Sequence, residues 1–121
     1  TARVLAYENL GLCHDHFKQE TLAMDAFEKA WSLDVNSTLS SLNLARMYLQ
    51  RNRADIAQRW FGRFEATLRD RQLPHNAASL YTGAMLAKAS RDKNAQASYA
   101  FKLKKRFPAS EEYKRYRASQ N

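Results

Sequence analysis

The sequence predicts an all-α chain of stacked helical hairpins, and three observations carry that expectation. First, one spacing recurs: a small residue, then Ala twelve positions on, then an aromatic four beyond that. It reads Gly11, Ala23 and Phe27, then Ala45, Ala57 and Phe61, then Gly83, Ala95 and Tyr99. Second, helix breakers are sparse, with three Gly and two Pro in 121 residues, while Ala, Leu, Lys, Arg and Gln dominate the long periodic stretches. Third, no segment alternates apolar and polar residues as a half-buried strand does.

The small residues lie 34 and then 38 positions apart, and self-similarity near 34 residues marks the tetratricopeptide (TPR) helix-turn-helix repeat. A small side chain on a first helix lets a second helix approach closely, and the aromatic fills the gap between them. One such pair cannot bury its apolar face alone, so pairs stack and share a core. The expected architecture is therefore a TPR superhelical solenoid in a single domain spanning 1–121. Three repeats occupy about 4–37, 38–71 and 76–109, with a short C-terminal capping helix over about 110–118.

Each element has its reason. The first helix carries Tyr7, Leu10, Gly11 and His14; after the polar stretch Lys18 to Thr21, the second carries Ala23, Phe27, Ala30 and Trp31. Asn36, Ser37 and Thr38 are capping types placed before the next apolar rise. The third helix shows Leu44, Ala45 and Tyr48, and the fourth Ile56, Ala57, Phe61 and Phe64. Arg51 to Asp55 forms the turn between them, and Asn52 or Asp55 is expected to cap. Arg71 to Asn76 supplies the four extra residues behind the 38 spacing, and Pro74 forbids a continuous helix there. The fifth helix carries Gly83 and Leu86, the sixth Ala95, Tyr99 and Leu103. This third repeat departs from the pattern, with Thr82 where Leu is usual and Lys102 where the first repeat has Ala30. After Phe107 and Pro108, Ser110 is a good N-cap and Glu111 and Glu112 suit the positive end of a helix dipole. Tyr113 and Tyr116 would then lie over the third repeat.

The net charge of +8 is unevenly placed: residues 1–87 hold ten Lys/Arg and nine Asp/Glu, residues 88–121 ten and three. A concentrated positive face steers acidic partners, anionic lipid headgroups or nucleic acid; it equally suits a solvated outer face of a terminal helix. No apolar run approaches the roughly 20 residues of a membrane span, and the N-terminus lacks the order of a signal peptide. The apolar pattern begins directly after Arg3, so the chain reads as the C-terminal piece of a longer solenoid.

Catalytic and metal chemistry find little support in these residues. His14, Asp15 and His16 are adjacent or two apart, whereas ligands sharing a helix face stand three or four apart, so no metal site is expected. Cys13 and the three His form no nucleophile–base arrangement and there is no glycine-rich phosphate loop. The expectation is no enzyme, no cofactor and no small-molecule substrate. Nucleic acid would need Tyr99, Phe101, Tyr113 and Tyr116 as stacking platforms, but Tyr99, Tyr113 and Tyr116 already have packing roles, and the packing reading is preferred.

The free face of each first helix is the better candidate. Projecting the spacing onto it gives Glu8, Leu12 and Asp15, then Leu39, Leu42, Arg46 and Leu49, then Ala77, Leu80, Ala84 and Lys88. That surface is largely aliphatic and suits an apolar helix or extended segment of a partner. The partner groove is expected to rest on Leu12, Leu39, Leu42, Arg46, Leu49 and Leu80. Capture of a C-terminal carboxylate, as in chaperone-binding TPRs, is not expected: Asn43 has no cationic set beside it among Glu8, Leu12, Ala77 and Tyr81.

Three stretches go further: Tyr7-Glu8-Asn9-Leu10-Gly11-Leu12-Cys13, Ser98-Tyr99-Ala100-Phe101-Lys102-Leu103-Lys104-Lys105-Arg106-Phe107-Pro108, and Ala109-Ser110-Glu111-Glu112-Tyr113. With the Leu44-Ala45 helix and Arg63-Phe64-Glu65-Ala66, they resemble the C-terminal half of the type IV pilus biogenesis lipoproteins of the PilF/PilW family. The resemblance implies a longer TPR protein on the periplasmic face of the outer membrane, associated with the membrane only through a lipid anchor outside this chain. It implies a pilotin role, with outer-membrane secretin subunits or other pilus assembly proteins as partners. Leu10-Gly11-Leu12-Cys13 is like a lipobox only superficially, since it lies inside a repeat helix without an apolar leader. The resemblance also implies that Cys13 pairs with a cysteine in an upstream repeat; on its residue type alone, Cys13 equally suits a small buried apolar position. Two other readings stand beside this one: a cytoplasmic TPR adaptor of an unrelated pathway, and a module whose basic end docks on anionic lipid or nucleic acid.

Overall fold

A computed structural model of the chain describes residues 1–120. Among the described residues there are seven α-helices and no strand: α1 (Ala2–His16), α2 (Glu20–Leu33), α3 (Thr38–Gln50), α4 (Ala54–Arg71), α5 (Ala77–Ala89), α6 (Lys93–Arg106) and α7 (Glu111–Ser119). The helices gather into two compact units, one from Thr1 to Gln72 and one from Leu73 on.

In the first unit α1 pairs with α2 and α3 with α4, and α2 packs on α3. The recurring small residues sit where close approach demands them. Gly11 is buried, and a Cβ built on it would lie 2.6 Å from Phe27 Cε1. Ala45 and Ala57 are fully buried with Phe61 beside them in the core. Met24, Leu44, Met47, Phe64 and Leu68 also lie in that core, whose burial is the main driving force for pairing.

In the second unit α5 pairs with α6, and α7 rests on both. Its fully buried side chains are few: Leu80, Leu86 and Leu103 are the large ones. Gly83 is buried, but Ala95 and Tyr99 are only half-buried. Thr82, the exception to the leucine pattern, is buried and satisfies its hydroxyl by donating to the Ala78 carbonyl at 2.9 Å, as a buried polar group must.

The helix starts follow the caps. Ser37 Oγ accepts from Ser40 N–H at 3.2 Å and Ser110 Oγ from Tyr113 N–H at 3.1 Å. Asn76 and Ser79 form a reciprocal capping box at α5. At α4 the expectation fails: the N-cap is Arg53, which makes no side-chain cap. Asn52 instead adopts a left-handed conformation, φ 60°, and Asp55 lies within the first helical turn.

That left-handed residue belongs to a turn used three times. Lys18 (φ 58°), Asn52 (φ 60°) and Arg91 (φ 59°) each follow the end of a first helix. The two N–H groups that follow reach back to the helix: Lys18 to Asp15 O at 3.0 Å and Gln19 to His14 O at 2.8 Å. Asn52 and Arg53 bond Leu49 O and Tyr48 O, and Arg91 and Asp92 bond Lys88 O and Ala87 O, in the same way. The carbonyls orphaned at each helix end are thereby satisfied, and the chain reverses in three residues.

Candidate partner-binding groove

The groove residues of the first unit lie on α1 and α3, and two polar ties fix those helices in register. Ser37 Oγ donates to Glu8 Oε2 at 2.6 Å, and Arg46 Nη2 donates to Asp15 Oδ2 at 2.9 Å and to Asn43 Oδ1 at 3.0 Å. Glu8, Leu12 and Asp15 share one face of α1 by helical spacing, and Leu39, Leu42, Arg46 and Leu49 share one face of α3. Since the ties join the two faces at both ends, Leu12 falls in the stretch occupied by Leu39 and Leu42. Leu12 is 42 % exposed, and Leu39, Leu42 and Leu49 are half-buried. The strip is thus aliphatic, partly open and bracketed by acids. Arg46 is a fastener of this strip rather than a free cation.

Leu80 does not belong to such a surface. It is fully buried, as is Ala84 one turn on. The helices that pack on α5 are α6 and α7, whereas those that pack on α3 are α2 and α4, so positions equivalent by spacing on the two helices meet different neighbours. The 38-residue projection from Leu42 therefore lands on a packing stripe of Leu80, Ala84 and Ala87.

The three consecutive residues of the discarded metal site point to three different neighbours. His14 Nδ1 meets Gln19 Oε1 at 2.7 Å, Asp15 holds Arg46, and the His16 ring stands edge-on to Phe17 at 5.1 Å between centroids. Among the described residues no group of three or more His, Cys, Asp or Glu is placed to hold a metal. Cys13 is a free thiol, exposed among the described residues. Among the described residues no helix is long and apolar enough to cross a membrane.

Of the four aromatics weighed as stacking platforms, Phe101, Tyr113 and Tyr116 line one groove between α6 and α7. Tyr99 is elsewhere, with its ring 5.9 Å from that of His75 in an edge-on contact. An arrangement that the sequence did not suggest joins α2 and α4: the Arg63 guanidinium lies 4.8 Å from the Trp31 ring and 4.5 Å from the Trp60 ring, and the two indoles meet edge-on at 5.1 Å.

Helical hairpins closed by one repeated turn, with a small residue facing an aromatic, define an all-α protein of the TPR type. No family model matches the chain. It is nevertheless homologous to the type IV pilus assembly protein PilF of Pseudomonas aeruginosa, with 31% identity over 116 residues, 96% of this chain and 44% of that protein. A solved structure of Pseudomonas aeruginosa PilF superimposes with a TM-score of 0.86 at 30% identity, covering 98% of this chain and 51% of the other. The crystal structure of PilW, described as a widely conserved type IV pilus biogenesis factor, superimposes with a TM-score of 0.72 over 93% of this chain and 50% of that one. At 23% identity the likeness to PilW is one of fold. The chain thus spans about half the length of the proteins it matches.

Proposed function

We propose that the chain is a non-catalytic scaffold of type IV pilus biogenesis, working at the periplasmic face of the outer membrane. A lipid anchor carried elsewhere in the protein would hold it there. In this role it supports localisation and multimerisation of the secretin, gripping a secretin subunit or another pilus assembly protein through the strip of Leu12, Leu39, Leu42 and Leu49. The observation that carries the reading is homology to a pilus assembly protein across 96% of the chain. The half-open aliphatic strip supports the choice of surface, because partly desolvated leucines flanked by fixed charges favour an apolar segment of a partner.

The test is a pull-down of detergent-solubilised secretin by the full-length protein carrying Leu42→Glu and Leu49→Glu, with folding checked by circular dichroism. Loss of capture is expected, since a charge in a desolvated contact costs several kcal/mol. Undiminished capture by the folded variant removes the strip from the proposal. The same reading includes a disulfide from Cys13, whose thiol is exposed, to an upstream cysteine. A thiol titration of the oxidised full-length protein is expected to find Cys13 blocked, and a free Cys13 refutes the pairing.

A further inference from the structure

The second unit carries an open groove of about 440 Å³ between α6 and α7 that the proposed scaffold role does not use. Ala97, Ala100, Phe101 and Lys104 line it from α6, and Tyr113 and Arg117 from α7. Phe101 is 63 % exposed, an unusual state for a large aromatic in a recess. No acidic residue lines the groove. The helix beneath it, α6, has five cations and no carboxylate, and the two carboxylates of α7 lie in its first turn, where Glu111 engages Lys114 at 3.4 Å.

We propose that this groove is a separate docking site for an acidic amphipathic segment of a protein partner, whose apolar side chains seat on Phe101 and Tyr113 and whose carboxylates pair with Lys104 and Arg117. Charge complementarity selects the occupant. An apolar groove alone would accept any hydrophobic segment, but one lined also by cations and free of carboxylates repels basic segments and rewards acidic ones.

The ring contacts narrow the choice further. Lys105 Nζ lies 5.8 Å from the Phe101 ring centre and Arg117 Cζ 5.8 Å from that of Tyr113. Each ring thus has a cation against one face, which leaves its other face and its edges for a ligand; faces suit aliphatic groups, and edges, positive in partial charge, suit carboxylates.

The inference is tested by fluorescence anisotropy on the 121-residue chain. The probe is a short fluorescein-labelled peptide alternating Glu with Leu and Phe. One control replaces its Glu by Gln, and another replaces its Leu and Phe by Gly. The amphipathic acidic peptide is expected to bind at least about tenfold more tightly than either control. Phe101→Ala, and separately Lys104→Gln with Arg117→Gln, are each expected to weaken it about tenfold, as loss of an anchor does. Leu42→Glu leaves this binding unchanged, so the outcome is independent of the secretin test. Phe101, Lys104 and Arg117 are all exposed, and circular dichroism checks that each variant, Leu42→Glu included, keeps its helices. Equal affinity for the Glu–Gly control overturns the proposal in favour of a general charge effect. So does tighter binding of phosphatidylglycerol vesicles or of a single-stranded oligonucleotide than of the peptide, or indifference to Phe101→Ala.

Discussion

The Phe27 ring lies directly on the bare backbone of Gly11, close enough that a Cβ there would stand 2.6 to 2.8 Å from three ring carbons. Phe27 is fully buried, so the ring has no room to retreat and α1 would have to move away from α2. Gly11→Ala is therefore expected to destabilise the chain by about 1–2 kcal/mol, the overpacking cost less the gain in helix propensity. Gly62 is the counter-case: it is exposed in the middle of α4, and a Cβ there meets nothing within 4 Å. Gly62→Ala is expected to stabilise by about 0.5–1 kcal/mol. Urea denaturation of both variants checks the pair; equal signs would show that the Gly11 contact is not what sets its residue type.

Gly11 also shows why the fold class was legible in the sequence while part of the surface was not. The small, Ala and aromatic positions are dictated by contacts within one hairpin, so they repeat with the hairpin and can be read as a period. Partner surfaces depend on what packs on a helix from outside it. Leu42 and Leu80 are equivalent by spacing, yet Leu42 is half-open on α3, which packs on α2 and α4, while Leu80 is buried on α5, which packs on α6 and α7. The aromatics near the C-terminus were visible as a set, but only the placement of α7 separates Tyr99 from the groove that holds Phe101 and Tyr113. Asn52 misled for a related reason: Asn suits both an N-cap and a left-handed turn residue, and backbone geometry alone chooses between them.

The repeated turn gives the next expectation. Lys18 and Arg91 hold φ of 58° and 59° although neither residue type favours it, whereas Asn52 at φ 60° does. Lys18→Gly and Arg91→Gly are each expected to stabilise by up to about 1 kcal/mol, because glycine relieves the Cβ clash at the cost of a more flexible unfolded chain. Asn52→Gly is expected to change stability less than either. Thermal melts of the three variants check this ordering, and a larger gain at Asn52 would contradict it.

Arg63 reaches from α4 over two indoles at once, at 4.8 Å from Trp31 and 4.5 Å from Trp60. Its planar guanidinium can stack on aromatic faces in a way an ammonium cannot. At an exposed site each such contact is worth roughly 0.5–1 kcal/mol, so Arg63→Ala is expected to cost about 1 kcal/mol and Arg63→Lys about half of that. Because the sensors are tryptophans, intrinsic fluorescence reports the change directly: Arg63→Ala is expected to alter the native emission as well as the denaturation midpoint. A shifted midpoint with unaltered emission would place the loss somewhere other than the Trp31–Trp60 pair.

Arg46 and Asp15 close one end of the aliphatic strip, with side chains about a third exposed and a 2.9 Å contact between them. Exposed pairs contribute little after solvent screening and side-chain entropy, typically about 0.2–1 kcal/mol. Here the guanidinium nitrogen also donates to Asn43 at 3.0 Å, which fixes its position before Asp15 is counted and reduces the entropy that the pair must overcome. A double-mutant cycle of Asp15→Ala and Arg46→Ala is expected to give a coupling of about 0.5–1 kcal/mol that shrinks as salt is raised. Arg46→Lys is expected to lose most of it, since a single ammonium cannot reproduce the fixed geometry of the fork. A coupling near zero would mean that α1 and α3 are held in register by the Glu8–Ser37 contact and by packing alone, and Asp15→Ala would then leave partner capture unchanged.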